Sequence, residues 1–335
     1  MIIMKSFSFL VLAFNHEKYI IEHLESIKFL VEMHAENIEV DLIINDDKST
    51  DDTVFLINQW LQLNGILFRN VVKLFNNKNL GTCTSLVNMI KHVKTEGIKI
   101  TAGDDVYSFE NIFIYGDLAR NGNMVSGFPL DLTNLIISEK KSDSMMIIAS
   151  YYIYKNKKPI ERFKWPSNNN APNMFYDLEL LKNNDVISYL NKFDVVEDLP
   201  LQIVMSSLFN SQFILLDKVF TYYRRTLGST YIVAGSRFYK DQINIFNDLI
   251  LNEDNNFSTM LLKNRKFCFK LKNKYLRKIL NLSIYRFFFL AFLKLFNIIG
   301  MRKKIDLKVE LHRSHYHLIR IKANETLLKL KDLDA

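Results

Sequence analysis

Four short apolar runs, each followed by a polar break and then a helical pattern, organise the first hundred residues. Phe7–Phe14, FSFLVLAF, is continuously apolar, the pattern of a strand buried on both faces. Asn15-His16-Glu17 ends it. Tyr19–Val31 then carries apolar residues at Tyr19, Ile20, Leu24, Ile27, Leu30 and Val31, a helical spacing. Val40–Ile44 is the second run and leads into NDDKSTDDT. There Ser49 and Thr50 are good N-cap types with acids after them, opening a helix that reaches to Leu63. Asn70–Phe75 is the third run, followed by a turn over Asn76–Leu80 and a helix over Gly81–Lys94. The fourth, Ile98–Thr101, stops at Ala102-Gly103, and two adjacent carboxylates follow, Asp104 and Asp105. This alternation predicts an α/β fold with a mostly parallel, doubly wound sheet and right-handed crossovers. Ligands of such sheets sit at the carboxyl ends of the strands, where Asp46 and Asp104 would both lie. Gly103 permits a sharp turn and close approach of a ligand. The two carboxylates repel each other, so they either share a cation or stand as solvated acids of an ordinary loop.

Beyond Phe109 the pattern predicts a helix over Asn111–Leu118 and strands over Met124–Phe128 and Met145–Tyr154. Glu161–Tyr176 reads as a long polar loop with two prolines and three consecutive asparagines. Leu178–Lys182 and Val186–Leu190 read as short helices. A second acidic pair, Glu197-Asp198, precedes a helix over Leu201–Phe209. Phe213–Leu216 and Val219–Tyr223 read as strands, and Arg224–Thr230 as a basic, flexible loop.

The 335 residues, 48% hydrophobic and 24% charged, suffice for one large domain with an appendage or for two domains. Two cysteines, Cys83 and Cys268, cannot build a disulfide framework or a tetrahedral zinc site and read as free buried thiols. The N-terminal apolar run has no basic leader and meets Asn15, His16 and Glu17 too soon for a signal peptide or anchor, which predicts a cytoplasmic protein. The net charge of +8 is unevenly spread. Leu261–Lys304 holds thirteen Lys or Arg and no Asp or Glu, so the rest of the chain is mildly acidic. After a polar linker at Asn252–Ser258, Lys263–Lys278 is basic with interleaved aromatics, and Ile279–Ile299 is almost wholly apolar. Its internal Arg286 and Lys294 argue against a membrane span. The segment 263–304 suits a helix lying on an anionic membrane surface, or else a core helix with snorkelling cations. No nucleic-acid partner is expected. A last helix over Lys308–Leu330 carries His312, His315 and His317. Residues i and i+2 do not share a helix face, so these read as a solvated polar face and not as a metal site.

Six stretches in order carry a resemblance. FLVLAFNHEKY, IINDDKSTDDT, NNKNLGTCTSLVNMI and ITAGDDVY resemble the nucleotide-sugar half of family-2 glycosyltransferases, which have the GT-A fold. VVEDLPL and TYYRRTLGST resemble the acceptor half, especially in bacterial surface-polysaccharide enzymes. The resemblance spans Ser6–Tyr231. It implies a GT-A domain over 1–251, divided at 108/109 into a nucleotide-sugar half and an acceptor half, with 252–335 as a helical extension. It further implies inverting, metal-dependent transfer from a UDP-sugar to a glycan or lipid-linked acceptor in surface polysaccharide synthesis (capsule or lipopolysaccharide). Such an enzyme would work on the inner face of the cytoplasmic membrane.

The family's roles fall on matching positions. Ala13, Asn15 and Glu17 would lie under the base and ribose. Asp46, or Asp47 in the other register, would accept from the uracil imide, a bond that an anionic acceptor strengthens; Asp47 and Asp51 otherwise read as caps of the next helix. Asn79 and Gly81 match the turn beside the nucleotide, and Gly103 the close approach. Asp104, with Asp105 beside it, matches the ligand of Mn²⁺ or Mg²⁺. The family's usual Asp-x-Asp has Ala102 in place of its first acid. Asp198 matches the catalytic base, with Glu197 as the alternative base or as a partner that raises its pKa. Arg224 and Arg225 match a loop that closes on the diphosphate, with Thr226 where relatives often have His. Trp165 and Tyr176 either stack on an acceptor sugar or pack on the domain. Two other classes compete. A nucleotidyltransferase would need a glycine-rich phosphate loop near the first strand, which FNHEKY lacks. A binding protein with an inert sheet would have no use for acids at Asp46, Asp104 and Asp198.

Overall fold

A computed structural model describes residues 4–120, 122–167, 170–209, 212–225 and 234–333. Its centre is a four-stranded parallel sheet, β1 (Ser6–Ala13), β2 (Glu39–Asp46), β3 (Asn70–Phe75) and β4 (Gly97–Ala102), in the order β3-β2-β1-β4. The largely apolar β1 is central because neighbours pair with it on both sides, Ala13 opposite Asp46 and Leu12 opposite Ala102. The crossovers are α1 (Ile20–His34), α2 (Thr53–Asn64) and α3 (Thr82–Ile90). Two apolar cores result. One packs Phe7, Phe9 and Val11 with α1 and Trp60 of α2, and the other packs Leu10 and Ile43 with α3 and the second half of the chain.

That second half adds two small sheets. β6 (Met124–Ser126) lies between β10 (Phe213–Leu215) and β9 (Met174–Phe175). The other has the order β5-β11-β7-β8, from β5 (Val106–Tyr107), β7 (Leu130–Thr133), β8 (Ile136–Ser138) and β11 (Thr221–Arg224). The architecture is the mostly parallel GT-A arrangement flanked by helices, with further helices at the C-terminus. Met145–Tyr154, expected as a strand, is a helix over Lys141–Tyr154. Periodicity cannot separate helix from strand in a short apolar run, and the fourteen-residue length settles it for helix. The polar loop from Glu161 is partly structured, with a helix at Ile160–Lys164 tied by Lys164 Nζ to Glu253 at 2.8 Å. Asn168 and Asn169 lie outside the described residues, as do Thr226–Thr230 of the basic loop. Trp165 is buried under the Arg286 guanidinium, 4.3 Å from the ring centre, and Tyr176 is buried too, so both pack on the protein. Cys83 and Cys268 are free and buried.

The C-terminal helices are built into the body. Leu261, Phe287, Ile298 and Ile319 join one core, and Ala323 and Leu330 the other. The last helix, Val309–Leu333, returns along α1, where the Tyr316 hydroxyl donates to Glu22 (3.0 Å) and Thr326 to Glu25 (2.9 Å). His312 and His315 are therefore not on a solvated face. His312 stacks on Phe109 and hydrogen bonds the Tyr222 hydroxyl at 2.8 Å, and His315 Nε2 donates to the Tyr107 carbonyl. The helix is long enough to reach back to α1, which the short-range pattern did not reveal.

Burial pushes His312, His315 and the buried His23 of α1 down from the ordinary 6.5 to about 4. All three are neutral in the fold and protonate first in the unfolded chain. Their contribution to stability is complete above pH 6.5 and is lost as pH falls toward 4. The urea midpoint is expected to drop across that window, and less steeply in His312→Asn. A flat midpoint from pH 7 to 4 would contradict it.

Candidate active site

The parallel register carries the turns after β1, β2, β3 and β4 to one edge, so Asp46 and Asp104 flank the end of β1. Hydrogen bonds lock the first two turns together. Asn15, at φ 56°, takes the Thr50 N–H on its Oδ1 and donates its own N–H to Ser49 Oγ, both at 2.8 Å. His16 N–H donates to Thr53 Oγ1 (2.7 Å), Glu17 N–H to Asp51 Oδ2 (3.1 Å), and Asp52 N–H to Glu17 Oε2 (3.3 Å). Ala13 is buried, with its carbonyl accepting from Asp47 N–H at 2.9 Å. Asn15 and Glu17 are thus spent largely on holding the edge in shape.

The two acids after β2 separate in role. Asp47 accepts from Leu80 N–H (2.7 Å), Gly81 N–H (2.9 Å) and Asn76 Nδ2 (3.0 Å), so its carboxylate pins the turn after β3. Among the described residues the Asp46 carboxylate bonds only Ser49, through the backbone N–H at 2.9 Å and through the hydroxyl, which leaves it acceptor capacity. Asn79 belongs to the turn, with Nδ2 donating to the Asp47 carbonyl and Oδ1 accepting from Arg237. Gly81 has φ +84°, and a Cβ there would lie 2.1 Å from Asp194 Oδ1, so the chain itself demands glycine at this place. At Gly103 a Cβ would meet Ile20 Cδ1 at 2.8 Å and His16 Nδ1 at 3.1 Å.

Asp104 and Asp105 also diverge. Asp104 keeps a partly exposed side chain, with His16 Nε2 3.9 Å away. Asp105 is 1% exposed and accepts the Arg224 N–H on Oδ1 at 2.9 Å. Burial, and then the Asp104 charge, raises its pKa well above the carboxylate range. The expectation that Asp105 shares the metal is therefore corrected, since the group is turned into the fold and is used by β11. Among the described residues no three His, Cys, Asp or Glu converge as a ready-made metal cage. A single accessible carboxylate still fits Mg²⁺ or Mn²⁺, which bind through one or two carboxylates and complete their shell with substrate phosphates and water.

Glu197 and Asp198 reach the same edge through α3. Cys83 N–H donates to the Asp194 carbonyl (3.0 Å) and Cys83 Sγ to the Val196 carbonyl (3.3 Å), so residues 194–196 lie against the start of α3. Asp241 anchors them from behind. Its Oδ2 takes the N–H groups of Asp194, Val195 and Val196 at 2.9, 2.7 and 3.1 Å. Arg237, one turn earlier in the helix Gly235–Leu251, forks onto Asp194 at 2.5 and 2.6 Å and reaches Asn79 at 2.8 Å. Sequence reading missed Asp241 and Arg237, and gave His16 no role beyond its place in the stretch 13–17. The first two were legible only as an i, i+4 charge pair in a helix, a pattern that ordinarily marks a solvated face.

Comparison with known proteins agrees with this fold. Residues 8–124 match the family model described as Glycosyl transferase family 2. They form a family-2 glycosyltransferase domain. Among solved structures the chain is similar to S. aureus TarS 1-349 in complex with UDP-GlcNAc, with a TM-score of 0.54, 18% identity, and 98% of this chain and 91% of that one covered. It spans 55% of the longer TarS structure, at a TM-score of 0.53. A mannosyltransferase, PcManGT from Pyrobaculum calidifontis, in complex with GDP-Man and Mn²⁺, matches at a TM-score of 0.53 and 14% identity, with 96% and 86% covered. At these identities the likeness is one of fold. A comparison with curated proteins gives no match.

Asp198 opens the helix Asp198–Leu208 and accepts the Leu199 N–H at 2.7 Å. Burial raises the pKa of both acids, and the Asp198 charge raises Glu197 further. The Leu199 amide favours the ionised form of Asp198, which biases the charge of the pair toward Asp198. The expectation for the arginines is corrected. Arg224 is 5% exposed, with Nε donating to the Asp104 carbonyl (2.6 Å) and Nη2 to Glu22. Arg225 pairs with Asp131 (2.8 Å) and Asp143 (3.3 Å). Both guanidinium groups are held by carboxylates, and Arg224 braces the backbone of Asp104 where it was expected to reach for phosphate.

Asp241→Ala strands three N–H groups behind the acid pair. It is expected to cost about 2–4 kcal/mol in urea unfolding, more than Asp241→Asn, which keeps one acceptor. A wild-type unfolding midpoint for Asp241→Ala would remove the anchoring role.

Proposed function

We propose that the glycosyltransferase moves a sugar from a UDP-sugar to a hydroxyl of a glycan or lipid-linked acceptor, with inversion, in the building of a surface polysaccharide. The observation that carries this reading is the meeting of Asp46, Asp104 and the Glu197–Asp198 segment at the carboxyl edge of one parallel sheet. Asp46 has the free acceptor capacity to take an imide N–H, which favours uracil. Asp104 would hold Mn²⁺ or Mg²⁺, which would neutralise the diphosphate of the departing UDP. Asp198 takes the acceptor hydroxyl proton as that oxygen attacks the anomeric carbon opposite the diphosphate. One bond forms, the bond to the diphosphate breaks, and the anomeric configuration inverts. The relatives support a nucleotide-sugar donor, one structure holding UDP-GlcNAc and another GDP-Man with Mn²⁺.

The test is nucleotide release from a panel of UDP-sugars and GDP-mannose, with Mn²⁺, with Mg²⁺ and with chelator. Metal-dependent UDP release from at least one UDP-sugar is the expected result. Release of GDP alone would overturn the uracil reading, and release undiminished by chelator the metal reading.

A further inference from the structure

The helices Lys274–Ile279, Leu282–Phe292 and Leu295–Lys304 leave much of their apolar surface without a protein partner. Residues 272–280 are all exposed, and Lys274–Ile279 buries none of its side chains although Tyr275, Leu276 and Ile279 are apolar. A helix of six residues that buries no side chain is unfavourable in water on its own, so a partner that covers it is expected. Leu282–Phe292 is sorted by face. Ser283 and Phe287 are buried and Arg286 lies on Trp165, while Tyr285, Phe288, Phe289 and Phe292 point away from the body. Phe292 is 70% exposed, and Phe296 in the next helix 92%. The two helices meet at a bend of 74°, and among the described residues no single helix is long and apolar enough to cross a membrane.

Charge identifies the occupant. Arg265, Arg286 and Arg302 are used inside the protein, on the Lys164 carbonyl, the Trp165 ring and Glu139. Lys272, Lys274, Lys278, Lys294, Lys303 and Lys304 remain exposed in the same stretch of chain as the exposed aromatics, with no acid between Leu261 and Lys304 to offset them. A second copy would bring the same cations to the same face and repel. A bilayer with anionic headgroups supplies the countercharge to the cations and an apolar layer for the rings. We infer that this face lies flat on an anionic lipid surface, with the phenylalanines inserted at the acyl boundary and no segment spanning. The leaflet facing the cytoplasm has that chemistry. The inference is independent of the transferase reading, because the residues belong to helices outside the sheet edge.

The experiment is sedimentation of the full chain with phosphatidylcholine vesicles, with and without phosphatidylglycerol, at low and raised salt. Binding to the phosphatidylglycerol vesicles that weakens with salt is expected, with little binding to phosphatidylcholine alone. The triple variant Phe288→Ser, Phe292→Ser, Phe296→Ser keeps every cation and is expected to lose about tenfold or more in partitioning. Lys274→Glu with Lys278→Glu should lose the preference for phosphatidylglycerol, and it supplies a second reading if the triple variant fails to keep a wild-type unfolding midpoint. Absence of binding to anionic vesicles overturns the inference. So does wild-type binding by a folded triple variant, which would mean adsorption by charge alone. A salt-stable dimer in velocity sedimentation that the triple variant dissolves would assign the face to a second copy.

Discussion

Asp104→Ala is expected to abolish transfer and to remove the metal-dependent part of UDP binding. A diphosphate and a carboxylate at one strand end repel unless a cation lies between them, and Asp104 is the acid at that end with an accessible side chain. The loss in turnover is expected to be about 10³-fold or more, the scale of several kcal/mol of lost charge stabilisation at the leaving group. The fold is expected to persist. What Arg224 takes from Asp104 is its backbone carbonyl, which alanine retains, and among the described residues the ion-pair partner of its carboxylate is His16 at 3.9 Å. Calorimetry with UDP, with and without Mn²⁺, checks the claim, and an unchanged metal-dependent enthalpy in the variant refutes the ligand role. Asp105→Asn provides the contrast. It keeps an acceptor for the Arg224 N–H, and metal-dependent UDP binding should survive in it.

Asp198→Asn is expected to lower kcat by roughly 10²–10⁴, the usual contribution of a general base, with UDP affinity nearly unchanged. A base acts on the acceptor proton and touches the donor little, so kcat and nucleotide affinity should part. Burial raises both acids, which places the acid limb of the pH profile above the ordinary carboxylate range. Activity should rise with pH through that limb, because the base must be ionised. Glu197→Gln is the control. It removes the neighbour that competes for the proton and should cost less than Asp198→Asn. Normal turnover in Asp198→Asn beside a dead Glu197→Gln would reverse the assignment within the pair, and normal turnover in both would move the base elsewhere.

The sheet was legible because each of its strands declares itself locally. An apolar run such as FSFLVLAF has no stable place except between two other strands, and the acids that end β2 and β4 mark the edge where the apolar pattern stops. Asp46 and Asp104 could be placed there from spacing alone, since a parallel register follows from the alternation of strand and helix. Which acid of each pair faces a ligand was not legible. Asp46 and Asp47 are adjacent and chemically identical, and so are Asp104 and Asp105. Their roles divide because Gly81 N–H lies 2.9 Å from Asp47 and Arg224 N–H lies 2.9 Å from Asp105, across 34 and 119 residues of chain.

The arginines and histidines show the same boundary from the other side. Arg224 and Arg225 look like phosphate ligands in a basic loop, because their partners Glu22, Asp131 and Asp143 come from distant elements. His312 and His315 look solvated until the last helix is laid against Phe109 and Tyr222. The sequence by itself determined the alternating elements of the first hundred residues, the parallel sheet and the edge that carries the chemistry, because hydrophobic periodicity and turn residues act over a few positions. Only the tertiary structure decided which carboxylates stay free, which cations are already paired and which face of the C-terminal helices is left uncovered. Those outcomes depend on which groups long-range packing brings within about 3 Å of one another, and no local pattern encodes that.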